Sequence, residues 1–137
     1  MSYLLDTNVV SELRKGARAN PGVASWHRSV TPGSTWLSVL VVGEIRRGVE
    51  SIRRRDPARA AALDGWMLRL VEDYGERILP VDRAVADVWG RINVPDPLPA
   101  VDGLLAATAL VHDLTLVTRN ADHVQRTGAR FLNPFSG

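Results

Sequence analysis

Apolar positions along the chain follow two rhythms: short unbroken runs bounded by turn residues, and longer stretches that repeat every three or four residues. Tyr3–Leu5 is the first short run and predicts a strand, followed by a short helix from about Asn8 to Arg14. Asn20-Pro21 marks a helix start, asparagine as cap and proline in the first turn, with Val23, Trp26 and Val30 at helical spacing behind it. Gly33-Ser34 breaks the chain before TWLS, a second strand beginning at Thr35. From Val39 a helix carries Val42, Ile45, Val49 and Ile52 as an amphipathic stripe. The clearest periodic segment starts near Pro57, with Leu63, Trp66, Met67, Leu70, Val71 and Tyr74 on one face. Such a stripe fits a core face, although an apolar helix also serves as an interface.

Residues 77–81 (RILPV) predict a strand, and Asp82 caps a helix bearing Val85, Val88, Trp89 and Ile92. The loop NVPDPLPA holds three prolines, which disfavour helix and sheet alike. Asp102 opens a helix, LTLVT is an apolar strand, RNADHV is a turn or one helical turn, and ARFL is a last strand. Strands alternating with helices predict an α/β fold with a central, mainly parallel sheet flanked by helices. With no repeat, linker or low-complexity segment, residues 1–137 are expected to form one domain.

Composition narrows the chemistry. There are no cysteines, which removes disulfides, thiolate metal sites and cysteine nucleophiles together. No apolar run approaches the ~18 residues that span a bilayer, and no signal-peptide pattern opens the chain, so a cytoplasmic protein is expected. The net charge is only +2 against a pI of 9.7. Sixteen of the 17 basic residues are arginine, Lys15 being the exception. That bias suits phosphate recognition, and equally suits a GC-rich genome.

In an open α/β sheet, ligands bind beyond the carboxyl ends of the strands. Asp6 follows the first strand, Thr118 and Asn120 follow LTLV, Asp102 stands at a helix start, and Glu44 lies early in the helix after TWLS. Glu44 precedes the stripe residue Ile45, which aims it over the strand ends. Three ionised carboxylates roughly 4–6 Å apart repel by a few kcal/mol per pair at an effective dielectric near 20. Either one is protonated or a cation sits among them, and an oxygen-only donor set selects Mg²⁺ or Mn²⁺. Each acid also has a plainer explanation: Asp6 and Asp102 as helix caps, Glu44 as an i,i+3 partner of Arg47. His27, His112 and His123 show no metal-ligand spacing; His27 and His112 are expected to be half-buried helix residues. No glycine-rich phosphate loop or Gly-x-Ser-x-Gly elbow is present. Phosphatases that form an aspartyl-phosphate need a second aspartate two residues on, where this chain has Asn8.

LLDTNVVSEL at the N-terminus, SVLVVGEIRRGV around Glu44 and DGLLAATALVHDLTLVTRN from Asp102, with the terminal FLNPF, resemble the PIN-domain ribonucleases. The resemblance is to the VapC- and FitB-like toxins of type II toxin–antitoxin systems and spans the chain. It implies a PIN-domain fold and an endoribonuclease dependent on Mg²⁺ or Mn²⁺, cleaving RNA by in-line attack on a backbone phosphate. The implied metal and catalytic residues are Asp6, Glu44 and Asp102. Thr7, Asn8 and Thr118 would support them by hydrogen bonds. Relatives often carry a fourth acid in the VTRN region. Here Asn120 and Asp122 stand nearby and His123 occupies an aspartate position, which implies a single metal. Arg46, Arg47 and Arg119 are candidate RNA contacts, or ordinary surface ion-pair partners. The implied partners are an RNA substrate, a cognate VapB/FitA-like antitoxin whose tail fills the groove, and a second copy of the chain. A homodimer would become a heterotetramer or larger assembly with the antitoxin. The alternative is a non-catalytic RNA- or protein-binding module of the same fold. A phosphatase or DNA nuclease built on the same acids is a third reading.

Overall fold

A computed structural model describes residues 1–135. Five strands form one sheet: β1 (Tyr3–Leu5), β2 (Thr35–Ser38), β3 (Ile78–Leu79), β4 (Thr115–Val117) and β5 (Phe131–Leu132), in the order β3-β2-β1-β4-β5. Every pairing is parallel, with Tyr3 opposite both Thr35 and Thr115, Leu5 opposite Val117, and Val117 opposite Leu132. Leu4 and Leu5 are adjacent and both fully buried. Successive strand residues point to opposite faces, so helices must cover the sheet on both sides.

Those helices are α1 (Thr7–Leu13), α2 (Pro21–Ser29), α3 (Val39–Arg53), α4 (Pro57–Tyr74), α5 (Arg83–Ile92), α6 (Ala100–His112) and the single turn α7 (Ala121–Val124). Side chains set most of the starts. Asn20 accepts from the N–H groups of Gly22 and Val23, Ser38 from Leu40, Asp56 from Arg59 and Asp82 from Val85. α3 packs on α4, and α5 on α6. The stripe of α4 faces inward: Met67 belongs to the core, with Trp66, Leu70 and Tyr74 packed against it. No helix among the described residues is long and apolar enough to cross a membrane.

The topology creates a switch point. From β1 the chain moves outward through β2 to β3, then crosses back to β4 on the other side of β1. At the carboxyl ends of β1 and β4 the departing segments diverge and leave a crevice, the usual place for a ligand in such sheets.

Three expectations need correction. The strand expected over 77–81 shrinks to Ile78–Leu79, because Arg77 lies in a 3₁₀ turn and Pro80 has no N–H to give a ladder. Asp102 does not open its helix: α6 begins at Ala100 behind Pro99, so Asp102 is the third helical residue and caps nothing. His27 and His112 are exposed, in the last turns of α2 and α6, where a basic side chain suits the helix dipole.

Ser38 is fully buried and its Oγ accepts from the Leu40 N–H at 3.0 Å, which sets where α3 starts and so where Glu44 falls. Ser38→Ala is expected to cost about 1 kcal/mol in urea unfolding followed by circular dichroism. A loss below about 0.3 kcal/mol would show that packing, not the cap, sets the start of α3.

Candidate active site

Asp6 is the residue at which β1 becomes α1. Its backbone N–H still donates to Val117 O at 2.9 Å, so it is held at the level of the β4 end. The register that pairs Leu5 with Val117 places Thr118 beside it. Only 5% of Asp6 is exposed. Its Oδ1 accepts from the Thr7 N–H at 2.7 Å, and Oδ2 accepts from Thr118 Oγ1 at 2.7 Å and Asn8 Nδ2 at 3.3 Å.

Glu44 stands in the second turn of α3, and its Oε1 accepts from Thr7 Oγ1 at 2.5 Å. Its other oxygen lies 3.9 Å from Arg47 Nη2, whose side chain is largely in solvent. Asp102 projects from the first turn of α6, and its Oδ2 accepts from His123 Nδ1 on α7. The turn that carries Asp102 is tightly packed from behind. A Cβ on Gly103 would stand 3.2 Å from Trp89 Nε1 and 3.4 Å from Asn93 Nδ2, so glycine lets α5 close onto α6 at this point.

Asp6 feels both of the other acids. Burial lifts the Asp6 carboxyl above its ordinary value of 3.8, the charges of Asp102 and Glu44 push it further, and the Thr118 and Thr7 hydrogen bonds offset only part of this. Each carboxylate is steadied by a donor from another element: Asp6 by Thr118, Glu44 by Thr7, Asp102 by His123. Each also keeps acceptor capacity, since an ionised carboxylate offers about four lone-pair sites. Among the described residues, no group of three or more His, Cys, Asp or Glu side chains is placed to hold a metal ion between them. Mg²⁺ does not ask for such a group, because it keeps several waters and binds through one or two carboxylates. The oxygen-only donor set and the raised Asp6 fit a hard divalent cation.

The remaining candidates divide. Asn8 bridges the site, giving its amide N–H to Asp6 and accepting the Arg119 N–H at 3.2 Å. Asn120 reaches it through its backbone N–H, which donates to Thr118 Oγ1 at 2.9 Å. Asp122 is exposed in the first turn of α7. Arg46 is committed elsewhere: its guanidinium pairs with Glu50 at 3.2 Å and Asp64 at 3.0 Å, which ties α3 to α4. Arg119 lies with its guanidinium 3.9 Å above the centre of the Phe135 ring.

Residues 3–129 match the PIN domain. The chain belongs to the PIN-domain family. Toxin FitB of Neisseria gonorrhoeae is 32% identical over 139 aligned positions, which cover 96% of this PIN domain chain and 97% of that protein. The VapC ribonuclease Y4jK of Sinorhizobium fredii is 30% identical, with 96% of each chain covered. A chain in the structure of FitAB bound to an IR36 DNA fragment superimposes with a TM-score of 0.87 at 30% identity, covering 98% of this chain and 96% of that one.

Two features of this PIN domain's site escaped the sequence. The His123–Asp102 contact joins residues 21 positions apart and depends on how α7 folds back after β4. Spacing could not show it, because α7 is a single turn with no periodicity of its own. The approach of Trp89 to Gly103 had one available sign, a glycine directly after a candidate acid at the start of an apolar helix.

The raised Asp6 carboxyl carries a pH dependence. Across the window from its ordinary value upward to its raised one, the folded chain binds more protons than the unfolded chain, so stability falls as pH rises through it. Above that window Asp6 therefore costs stability. Asp6→Asn is expected to melt at a higher temperature than the parent at pH 7 in EDTA, with the gap closing as pH is lowered towards 3.8. A variant that melts lower at pH 7 would mean that the three donors outweigh burial.

Proposed function

We propose that this PIN domain, taken as one unit over residues 1–137, is a divalent-metal-dependent endoribonuclease and the toxin of a VapBC- or FitAB-type pair. The observation that carries the reading is the buried Asp6 carboxylate at the sheet's switch point, destabilised by Asp102 and Glu44 and still held there by three donors. Asp6 also caps α1 through the Thr7 N–H, but a cap needs neither the burial nor the two neighbouring acids, and a bound cation would offset both. Family membership and the ribonuclease and toxin relatives supply the rest.

Asp6 and Asp102 would hold Mg²⁺ or Mn²⁺, with Glu44 as a further ligand or as the group that orients the attacking water. The chemistry such an ion supplies is charge stabilisation at a phosphate and a lowered pKa of water. The chain's own contribution is positioning. Thr118, Thr7 and His123 each fix one carboxylate, and Asn8 links the Asp6 side chain to the backbone after β4. Glu44 and Asp102 are 25% and 13% exposed, open enough for a phosphodiester to approach and sheltered enough to keep their electrostatics strong. Arg47, exposed beside Glu44, would meet a phosphate oxygen. Asn120 and Asp122 stand near the site in place of a fourth acid, and single-metal occupancy goes with that.

The partners proposed are RNA, a VapB/FitA-like antitoxin that blocks the groove, and a second copy of the chain, with a heterotetramer or larger complex when the antitoxin is bound. The FitAB complexes among the solved relatives support this. A cytoplasmic site of action goes with an RNA substrate.

Cleavage of total RNA by antitoxin-free protein, with Mg²⁺ or Mn²⁺ against EDTA, tests the reading. Asp6→Ala and Asp102→Asn are expected to abolish metal-dependent cleavage, and Thr118→Val to lower it about 10–100-fold. Normal cleavage by both acid variants would overturn the assignment. RNA binding without cleavage by the parent protein under either metal would favour the non-catalytic module.

A further inference from the structure

The end of the described chain has a job that the carboxylates do not explain. β5 lies on β4, with Leu132 opposite Val117 and its carbonyl accepting the Thr118 N–H at 3.0 Å. Asn133 then closes a turn by accepting the Phe135 N–H on its Oδ1 at 3.0 Å, and Pro134 is buried. Phe135 packs half-buried against the core, with its ring beneath the Arg119 guanidinium.

Arg119 is the residue after Thr118, and its N–H is taken by Asn8, which also holds Asp6. Its guanidinium makes no ion pair among the described residues. Glu12 feels its charge only through space and is already bound by the Asn20 N–H at 2.8 Å and by Lys15 at 3.1 Å. A long cationic side chain one residue from a carboxylate cluster would ordinarily fold onto the acids. Here the ring face takes it instead, by a cation–π contact that leaves its N–H donors without an ion-pair partner among the described residues. A planar fork with no ion pair among the described residues, on the residue whose backbone N–H is held by Asn8 beside Asp6, suits a backbone phosphate.

We propose that Phe135 is a positioning residue for Arg119: its ring keeps the guanidinium off the carboxylates and presents it to an RNA backbone phosphate next to the one cleaved. This rests on the ribonuclease reading above and adds a binding determinant to it. Phe135 touches no substrate atom; it acts through Arg119.

The test is a double-mutant cycle on RNA binding. Anisotropy of fluorescein-labelled bulk transfer RNA is measured in EDTA, where no cleavage occurs, over a salt series, for the full chain and for Phe135→Ala, Phe135→Trp, Arg119→Ala and the Phe135→Ala/Arg119→Ala pair. Arg119→Ala is expected to flatten the dependence of log K on log salt by about 0.7, the share of one neutralised phosphate. Phe135→Ala should weaken binding about two- to fivefold and flatten the slope in the same direction. Phe135→Trp should restore both, and Phe135→Ala should add nothing in the Arg119→Ala background. Steady-state cleavage should show the Phe135→Ala effect in KM with kcat retained. If Phe135→Ala binds like the parent, or adds its full effect to Arg119→Ala, the positioning role is wrong while the ribonuclease reading stands. If the parent binds no RNA in EDTA, the positioning role falls, while the ribonuclease reading is decided separately by metal-dependent cleavage of total RNA.

Discussion

A carboxylate buried where a strand turns into a helix is the constraint around which this molecule is arranged. Asp6 is 5% exposed and ends the central strand of a sheet covered on both faces. Burial alone disfavours its charge, and two more acids nearby make matters worse. The fold answers with donors rather than with a counter-charge: a backbone N–H, a threonine hydroxyl and an asparagine amide. Those bonds keep the side chain oriented without neutralising it. A neutral partner of this kind leaves a cation's place open, whereas a salt-bridged arginine would close it.

The donors are also what couples distant parts of the chain. Thr118 joins β4 to β1, Thr7 joins α1 to α3, and His123 joins α7 to α6. Each carboxylate is therefore held by an element other than its own, and none depends on a loop alone. The cap at Ser38 and the close packing at Gly103 extend this logic outward, because they set the rotation and depth of the two helices that bring Glu44 and Asp102 in. A shift in either helix would be felt at Asp6 through charge before it was felt through contact.

How much of this was legible in the sequence depended on the range of the interaction. Strand ends and helix starts are local, so Asp6, Glu44, Asp102 and Thr118 stood out as polar residues at equivalent points of an α/β pattern. The caps Asn20 and Asp82 were equally plain. What failed needed pairing information. Arg46 was open between an RNA contact and a surface ion pair, and what decides it is Asp64, 18 residues on and across the α3–α4 contact. Asp102 looked like a cap because the prolines before it hid where α6 begins; Pro99 itself occupies the cap position and lets the helix start at Ala100. His123 and Phe135 belong to segments too short to carry a period, and their partners follow from how the chain returns after β4 and β5.

The contrast between Arg46 and Arg119 shows how the surface charge sorts itself. A chain with sixteen arginines and one lysine must keep most of its guanidiniums from collapsing onto a cluster of acids that has to stay open. On α3 and α4 this is done with other acids: Glu50 and Asp64 hold Arg46 and Arg53, and the pKa of both carboxyls is lowered by those contacts. Beside β4 no acid among the described residues does the same for Arg119, and an aromatic face takes its place. The two solutions differ in what they leave behind. An ion pair consumes the donors of the guanidinium along with its charge, whereas a ring restrains the plane and leaves the edge donors to a ligand. The arginine that directly follows Thr118 is thus one whose guanidinium makes no ion pair among the described residues.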